Sequence, residues 1–257
     1  MPKVSVIIPM FNAERFLRSA VESVLGQTFA DFECIIIDDG STDSSEQIIR
    51  SYHDSRIKLL RNSNNLGITK SLNKGISESI GKYICRMDAD DMCVPDRLLK
   101  QVTYLDSHLD VAVVGSWVIL IDTQGRNIGT EQYPGSSADI MNQIFTHNPF
   151  AHSSVMIRRT VLDICGNYSA NFLHNEDYDL WLRIAARFPV ANIEEPLIMR
   201  RIHESNVTVM KETELVRYRI KTLAHAIFHY YHKPLYITYL LRPYFAYYMR
   251  LFKGVFQ

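Results

Sequence analysis

Cysteine is scarce in this chain of 257 residues, and Cys34, Cys85, Cys93 and Cys165 contain no C-x-x-C pair. Cys34 and Cys85 sit inside apolar runs, where a free thiol behaves as a small core residue, so a reducing cytoplasm is the expected setting. No stretch reaches the roughly 18 uninterrupted apolar residues of a membrane-spanning helix. The opening Met-Pro-Lys runs directly into Val4–Ile8, without the charged, apolar and small-residue series of a secretory signal. Net charge is absent too: 28 Lys and Arg balance 28 Asp and Glu, which argues against a chain coated for nucleic-acid binding. Neither G-x-G-x-x-G nor G-x-x-x-x-G-K-[ST] occurs, so a glycine-cradled dinucleotide or P-loop phosphate is not expected. There is no internal repeat and no low-complexity segment.

What is present is a hydrophobic content of 47%, enough for a full core in one large α/β unit or two tightly joined halves. Val4–Pro9, Phe32–Asp38, Ile57–Arg61 and Lys82–Met87 read as buried parallel strands. Between them Glu14–Leu25, Ser44–Tyr52 and Gly67–Ile80 space their apolar residues at helical intervals. This alternation predicts βαβ units and a mostly parallel sheet flanked by helices. Further on, the pattern predicts helices over Pro95–Ser107 and Tyr178–Phe188, and strands over Val111–Ile121, Ser154–Arg158, Val190–Ile193 and Leu197–Ile202. Two closing helices are expected over Lys211–Tyr231 and Leu235–Lys253.

In open α/β sheets ligands lie beyond the carboxyl ends of the strands, here Pro9–Asn12, Asp38–Asp43, Asn62–Gly67 and Asp88–Asp91. These ends are rich in acids and amides, and a divalent cation lets such a mouth hold a pyrophosphate. Asp88-Ala89-Asp90-Asp91 leaves a strand with carboxylates two apart, suited to Mg2+ or Mn2+. Asp96, by contrast, reads as a helix cap, and Ser41, Thr42 and Asp43 read as capping residues for the next helix. Asn175-Glu176-Asp177-Tyr178-Asp179 puts three acids at a helix start, where the helix dipole alone can favour them and where a general base could also stand. His203, after Arg200-Arg201, is either a satisfied histidine or a third metal ligand.

Taken in order, Val4-Ser5-Val6-Ile7-Ile8-Pro9-Met10-Phe11-Asn12, Asp38-Asp39-Gly40-Ser41-Thr42-Asp43, Asn65-Leu66-Gly67, Asp88-Ala89-Asp90-Asp91, Glu176-Asp177-Tyr178-Asp179-Leu180-Trp181 and Arg201-Ile202-His203 resemble family 2 glycosyltransferases over about residues 3–208. The resemblance implies a GT-A fold, an inverting mechanism, a nucleotide-sugar donor and Mg2+ or Mn2+. It implies a catalytic domain over 1–210, with a Rossmann-like nucleotide half at 1–100 and an acceptor half at 101–210. Carried over by position, Pro9 and Phe11 line the nucleotide pocket with Asn12 and Gly67, and Asp39 holds uracil. Asp88, with Ala89, lies at the ribose and Asp90 binds the metal. His203 approaches the metal, Asp177 is the general base with Glu176 beside it, and His152 lies under the donor sugar. Many relatives carry Arg before the helical Asn, but here Leu72 precedes Asn73, which leaves Lys70 or Arg86 to meet the nucleotide. The alternatives are a metal-dependent nucleotidyltransferase and a non-catalytic nucleotide-sugar-binding protein.

From Lys211 onward there are eight basic residues against two acidic ones, a net of +6, and 12 of the 28 aromatic residues. That composition suits helices lying on an anionic membrane surface, or helices packed on the domain. The combined expectation is a UDP-sugar donor, a lipid-linked saccharide acceptor, a peripheral position at the inner face of the plasma membrane, and no nucleic-acid partner.

Overall fold

The computed structural model describes residues 1–172, 174–204, 212–241 and 244. The first half alternates as expected: β1 (Val4–Met10), α1 (Glu14–Leu25), β2 (Phe32–Asp38), α2 (Ser45–Arg50), β3 (Ile57–Arg61), α3 (Ile68–Ser77) and β4 (Tyr83–Arg86). The second half holds β5 (Met92–Cys93), α4 (Arg97–Ser107), β6 (Val113–Ile121), β7 (Asn127–Glu131), α5 (Ser137–Gln143) and β8 (Met156–Arg158). It continues through α6 (Arg159–Cys165), α7 (Glu176–Ala185), β9 (Val190–Arg201) and α8 (Glu212–His229).

Among the described residues, the nine strands form one sheet in the order β3-β2-β1-β4-β8-β6-β9-β5, with β7 paired to β6. The β3-β2-β1-β4 block is parallel. The sheet then turns mixed, because β8 runs antiparallel to both β4 and β6. Alternation along β1 sets the two core layers, since successive side chains point to opposite faces. Val6 and Ile8 pack with Leu17, Val21 and Val24 of α1 and with Leu98 and Val102 of α4. Ile7 faces the other side, where Leu72 of α3, Leu180 and Trp181 of α7 and Leu223 of α8 cover the sheet. Gly75 permits the close seat of α3, for a Cβ there would lie 2.6 Å from Ile7 Cγ2.

Several elements depart from the periodic reading. Val190–Arg201 is one strand, parallel to β6 with register shifts at Ser116–Val118, instead of two. Glu194 and Glu195, whose polarity breaks the apolar run, bulge out of register, and pairing resumes at Pro196 opposite Trp117. The short β5, β7, α5 and α6 have no distinct periodic signature. Asp96 stands at the start of α4 but makes no side-chain cap bond; it pairs instead with Lys100 at 2.9 Å. The expected last helix is, over Pro234–Leu240, a 3₁₀ segment. The remainder of that expectation, apart from Leu241 and Tyr244, lies outside the described residues. Among these, no helix is long and apolar enough to cross a membrane.

The loop after β2 depends on Gly40, whose φ is +78° and whose added Cβ would sit 2.7 Å from the Asn64 carbonyl carbon. Backbone approach and left-handed conformation both select glycine there. Gly40→Ala should lower stability by about 1–3 kcal/mol, seen as a reduced urea midpoint at unchanged slope; an unchanged midpoint would contradict this account.

Candidate active site

The strand ends of the parallel block are tied into one rim. The amide of Asp39 donates to the Met10 carbonyl at 2.9 Å, and that of Asn62 to the Asp38 carbonyl at 2.8 Å. Asn12, at φ 49°, donates its amide to Ser41 Oγ at 3.0 Å and accepts the Thr42 amide on Oδ1 at 2.9 Å. Asp43 joins two helix starts, accepting the Glu14 and Ser45 amides at 3.0 Å each. The capping expected within one helix therefore links α1 and α2.

Asp39 is buried and is the staple of the β3–α3 loop. Its Oδ1 accepts from Asn62 Nδ2 at 2.8 Å and from the Leu66 amide at 2.9 Å, and its Oδ2 accepts from the Gly67 amide at 2.9 Å. An ionised carboxylate has about four acceptor positions, so Oδ2 keeps capacity for another N–H. Phe11, just after β1, is 47% exposed, Pro9 is half-buried in β1, and Lys70 is exposed on α3.

Beyond β4 lies the acidic cluster. Asp88, Asp90 and Asp91 each place a carboxylate oxygen within 4.8 Å of the others. Arg86 is only 2% exposed and grips Asp88 with both guanidinium NH2 groups, so it acts on that carboxylate from inside the fold. Ser153 Oγ completes the unit: it donates to Asp88 Oδ2 at 2.8 Å and accepts from Arg86 Nη1 and the Asp88 amide at 3.1 Å. His203 Nε2 lies 2.8 Å from Asp90 Oδ2, and its ring packs against Phe16 at 5.2 Å. Asp91 accepts the Arg201 amide on Oδ1 at 2.9 Å, while its buried Oδ2 has no hydrogen-bond donor. Ala89 is buried between them.

Electrostatics marks the cluster as short of positive charge. Burial pushes Asp91 up to about 8, with Asp88 and Asp90 adding to the rise. Asp90 is raised by burial and then by Asp88, against the pull of His203. Converging oxygens, an unmet buried acceptor and mutual repulsion fit a divalent cation, whose charge would reverse these shifts.

A second carboxylate pair opens α7. Asp177 Oδ2 accepts from Asn148 Nδ2 at 2.8 Å; burial raises its carboxyl, and that hydrogen bond and Arg86 draw it down. Burial lifts Glu176 to about 7, with Asp177 adding, and Glu176 Oε2 is buried without a donor. Asp179 is different in kind: fully buried, it pairs with Arg183 at 2.9 Å and accepts from Tyr230 Oη at 2.7 Å, a structural anchor between α7 and the end of α8. His152 Nε2 meets Tyr168 Oη at 2.9 Å, and burial followed by Arg86 holds its imidazole neutral, well below the usual histidine range. Asn62, Asn148 and Ser153 were given no role of their own from sequence, since single amides and hydroxyls in loops carry no periodic signal; Asp91 stood within the acidic motif without a separate role.

The glycosyl transferase family 2 model matches residues 5–165. The chain is 33% identical over 212 residues to the O-antigen biosynthesis glycosyltransferase WbnJ of Escherichia coli, an alignment covering 79% of this chain and 81% of WbnJ. It is 28% identical over 216 residues to the Escherichia coli UDP-Glc:alpha-D-GlcNAc-diphosphoundecaprenol beta-1,3-glucosyltransferase WfgD, covering 83% of each. Its fold is similar to that of S. aureus TarS 1–349 in complex with UDP-GlcNAc, with a TM-score of 0.74 at 19% identity over 95% of this chain and 73% of that one. The chain belongs to glycosyltransferase family 2, and its mixed sheet flanked by helices is the GT-A fold.

Removing the Asn148 amide takes from the Asp177 carboxylate a side-chain donor that favours its ionised form, leaving the backbone amides at the start of α7. In Asn148→Ala the Asp177 carboxyl should therefore titrate higher than in the wild type, read by carboxyl 13C NMR. A lower or unchanged titration point would refute the assignment of that bond.

Proposed function

We propose that this chain transfers a hexose or N-acetylhexosamine from a UDP-sugar to a hydroxyl of a lipid-linked saccharide, with inversion, in building a cell-surface polysaccharide. The observation that carries this reading is the convergence of Asp88, Asp90 and Asp91 within 4.8 Å at the end of β4, on the rim that also holds Asp39. WbnJ and WfgD, named for O-antigen assembly and for a UDP-glucose donor with a diphosphoundecaprenol acceptor, support the substrate classes. TarS with UDP-GlcNAc supports the same donor nucleotide.

In this reading Asp39 receives the uracil, with Pro9, Phe11, Asn12, Gly67 and Lys70 around the nucleotide. Asp88, Ala89, His152 and Glu176 border the ribose, diphosphate and sugar. Arg86 serves the donor indirectly, by fixing the Asp88 carboxylate in place. Asp90 and His203 would hold Mg2+ or Mn2+, which would supply positive charge against a departing diphosphate. Asp177 accepts the acceptor proton while the hydroxyl oxygen bonds to the anomeric carbon from the face opposite the diphosphate. The bond to the diphosphate oxygen breaks with its electron pair leaving on UDP, so an α-linked donor gives a β-linked product. Burial, which raises the Asp177 carboxyl, strengthens it as a base, and the Asn148 amide opposes its protonation.

The carboxy-terminal segment is proposed to rest on the inner face of the plasma membrane. Leu235, Ile237, Leu241, Tyr239 and Tyr244 are exposed, and the net charge of +6 from Lys211 onward matches an anionic surface.

Calorimetry of UDP binding with and without Mn2+ tests the donor reading. The wild type should bind UDP tightly only with the metal, and Asp90→Ala should weaken that binding at least about tenfold. Failure of UDP to bind under either condition, with GDP or dTDP binding instead, would move the donor to another base; failure of all three would overturn the reading.

A further inference from the structure

Beside β6 and β9, a cleft of about 370 Å³ runs between Glu131–Pro134, at the end of β7, and Gln143–Pro149, at the end of α5. Its size is at the lower end of ligand pockets, roughly 300–1,000 Å³. Its walls are fixed from beneath. Buried Asn192 of β9 donates Nδ2 to the Pro134 carbonyl at 2.9 Å and to the Pro149 carbonyl at 3.0 Å, one from each wall. Trp117 Nε1 adds a bond to the Tyr133 carbonyl at 2.9 Å. Both walls are thus held before any ligand arrives, which lowers the ordering cost of binding.

The lining mixes apolar surface from Tyr133, Pro134 and Pro149 with polar side chains, and carries no uncommitted carboxylate. Glu131 is neutralised by Arg200, whose Nη2 lies 2.5 Å from Oε1, and its Oε2 accepts from Tyr133 Oη at 2.9 Å. What the cleft offers is the amides of Gln132, Gln143 and Asn148, the imidazole of His147 and the ring of Tyr133. Amides donate and accept at once, matching hydroxyls, and an aromatic face suits the C–H side of a pyranose. A phosphate would find little charge there. One lining residue also reaches the chemistry: Asn148 donates to Asp177 Oδ2 at 2.8 Å. A ligand in the cleft is one side chain from the carboxylate assigned as base.

We infer that this cleft is the subsite for an uncharged saccharide unit of the acceptor, placing its hydroxyl toward Asp177 beside Asn148. The inference rests on the proposed role of Asp177, while the site itself is independent of the donor nucleotide. Its test is saturation-transfer NMR with a panel of methyl glycosides (glucose, galactose, mannose, N-acetylglucosamine and N-acetylgalactosamine) on the wild type, Asp90→Ala and the double variant Gln132→Ala/Gln143→Ala. Both glutamines are exposed, so their loss should leave the fold and UDP binding intact. At least one glycoside should give a signal with the wild type and with Asp90→Ala, and its affinity should fall about fivefold in the double variant, as for the loss of a net hydrogen bond. If UDP does not bind while the glycoside signal keeps this dependence, the donor reading fails and the subsite stands. No signal from any glycoside, a signal unchanged in the double variant, or one lost only in Asp90→Ala would overturn the subsite.

Discussion

The pairing of buried Arg86 with the half-exposed Asp88 is the constraint on which the rest of the site depends. A guanidinium at 2% exposure has left water, and it is tolerable only because a carboxylate and Ser153 Oγ receive it. Asp88 is equally committed, since Asp90 and Asp91 crowd it with like charge. Arg86 also draws down Glu176 and Asp177 and helps keep His152 neutral. One cation inside the fold therefore serves both acidic groups. The partly unmet oxygens of Asp91 and Glu176 show that this single charge does not satisfy them all.

Sheet geometry explains how these groups come to face one rim. The parallel block points every strand end the same way, so Asp39 and Asp88 emerge together although they are far apart in sequence. The switch to antiparallel pairing at β8 lets the His152–Ser154 turn arrive beside β4, which is why Ser153 can bridge Arg86 and Asp88. Continuing through β6 to β9, the sheet brings Arg201 and His203 back over Asp91 and Asp90. The second half thus closes a site that the first half opens.

The alternating pattern of the first hundred residues was legible because period-two and period-3.6 burial are strong there and the loops are short. The irregular second half was less so: β7 is exposed along most of its length and α5 and α6 are too short to show a period, so only pairing and packing define them. At the candidate site, Asp88, Asp90, Asp177 and His203 stood out as acids and an imidazole placed at element ends. Asp179, in the same run as Asp177, could not be told apart from it by position. Its complete burial and its bonds to Arg183 and Tyr230 separate it as a structural acid from Asp177, the proposed base. Arg86, a candidate for the nucleotide, proves to face inward because β4 is central and covered on both faces.

The sequence by itself determined the family, the alternating class of fold and the acidic character of the strand ends, because motif residues and local periodicity are properties of neighbours along the chain. Only the tertiary structure decided which carboxylate meets which partner: Asp39 with Asn62 and the Leu66–Gly67 amides, Asp88 with Arg86 and Ser153, Asp90 with His203, and Asp177 with Asn148. Those contacts join residues from 2 to 113 positions apart. Burial, the largest influence on the raised carboxyls, arises only when distant segments exclude water from the same place.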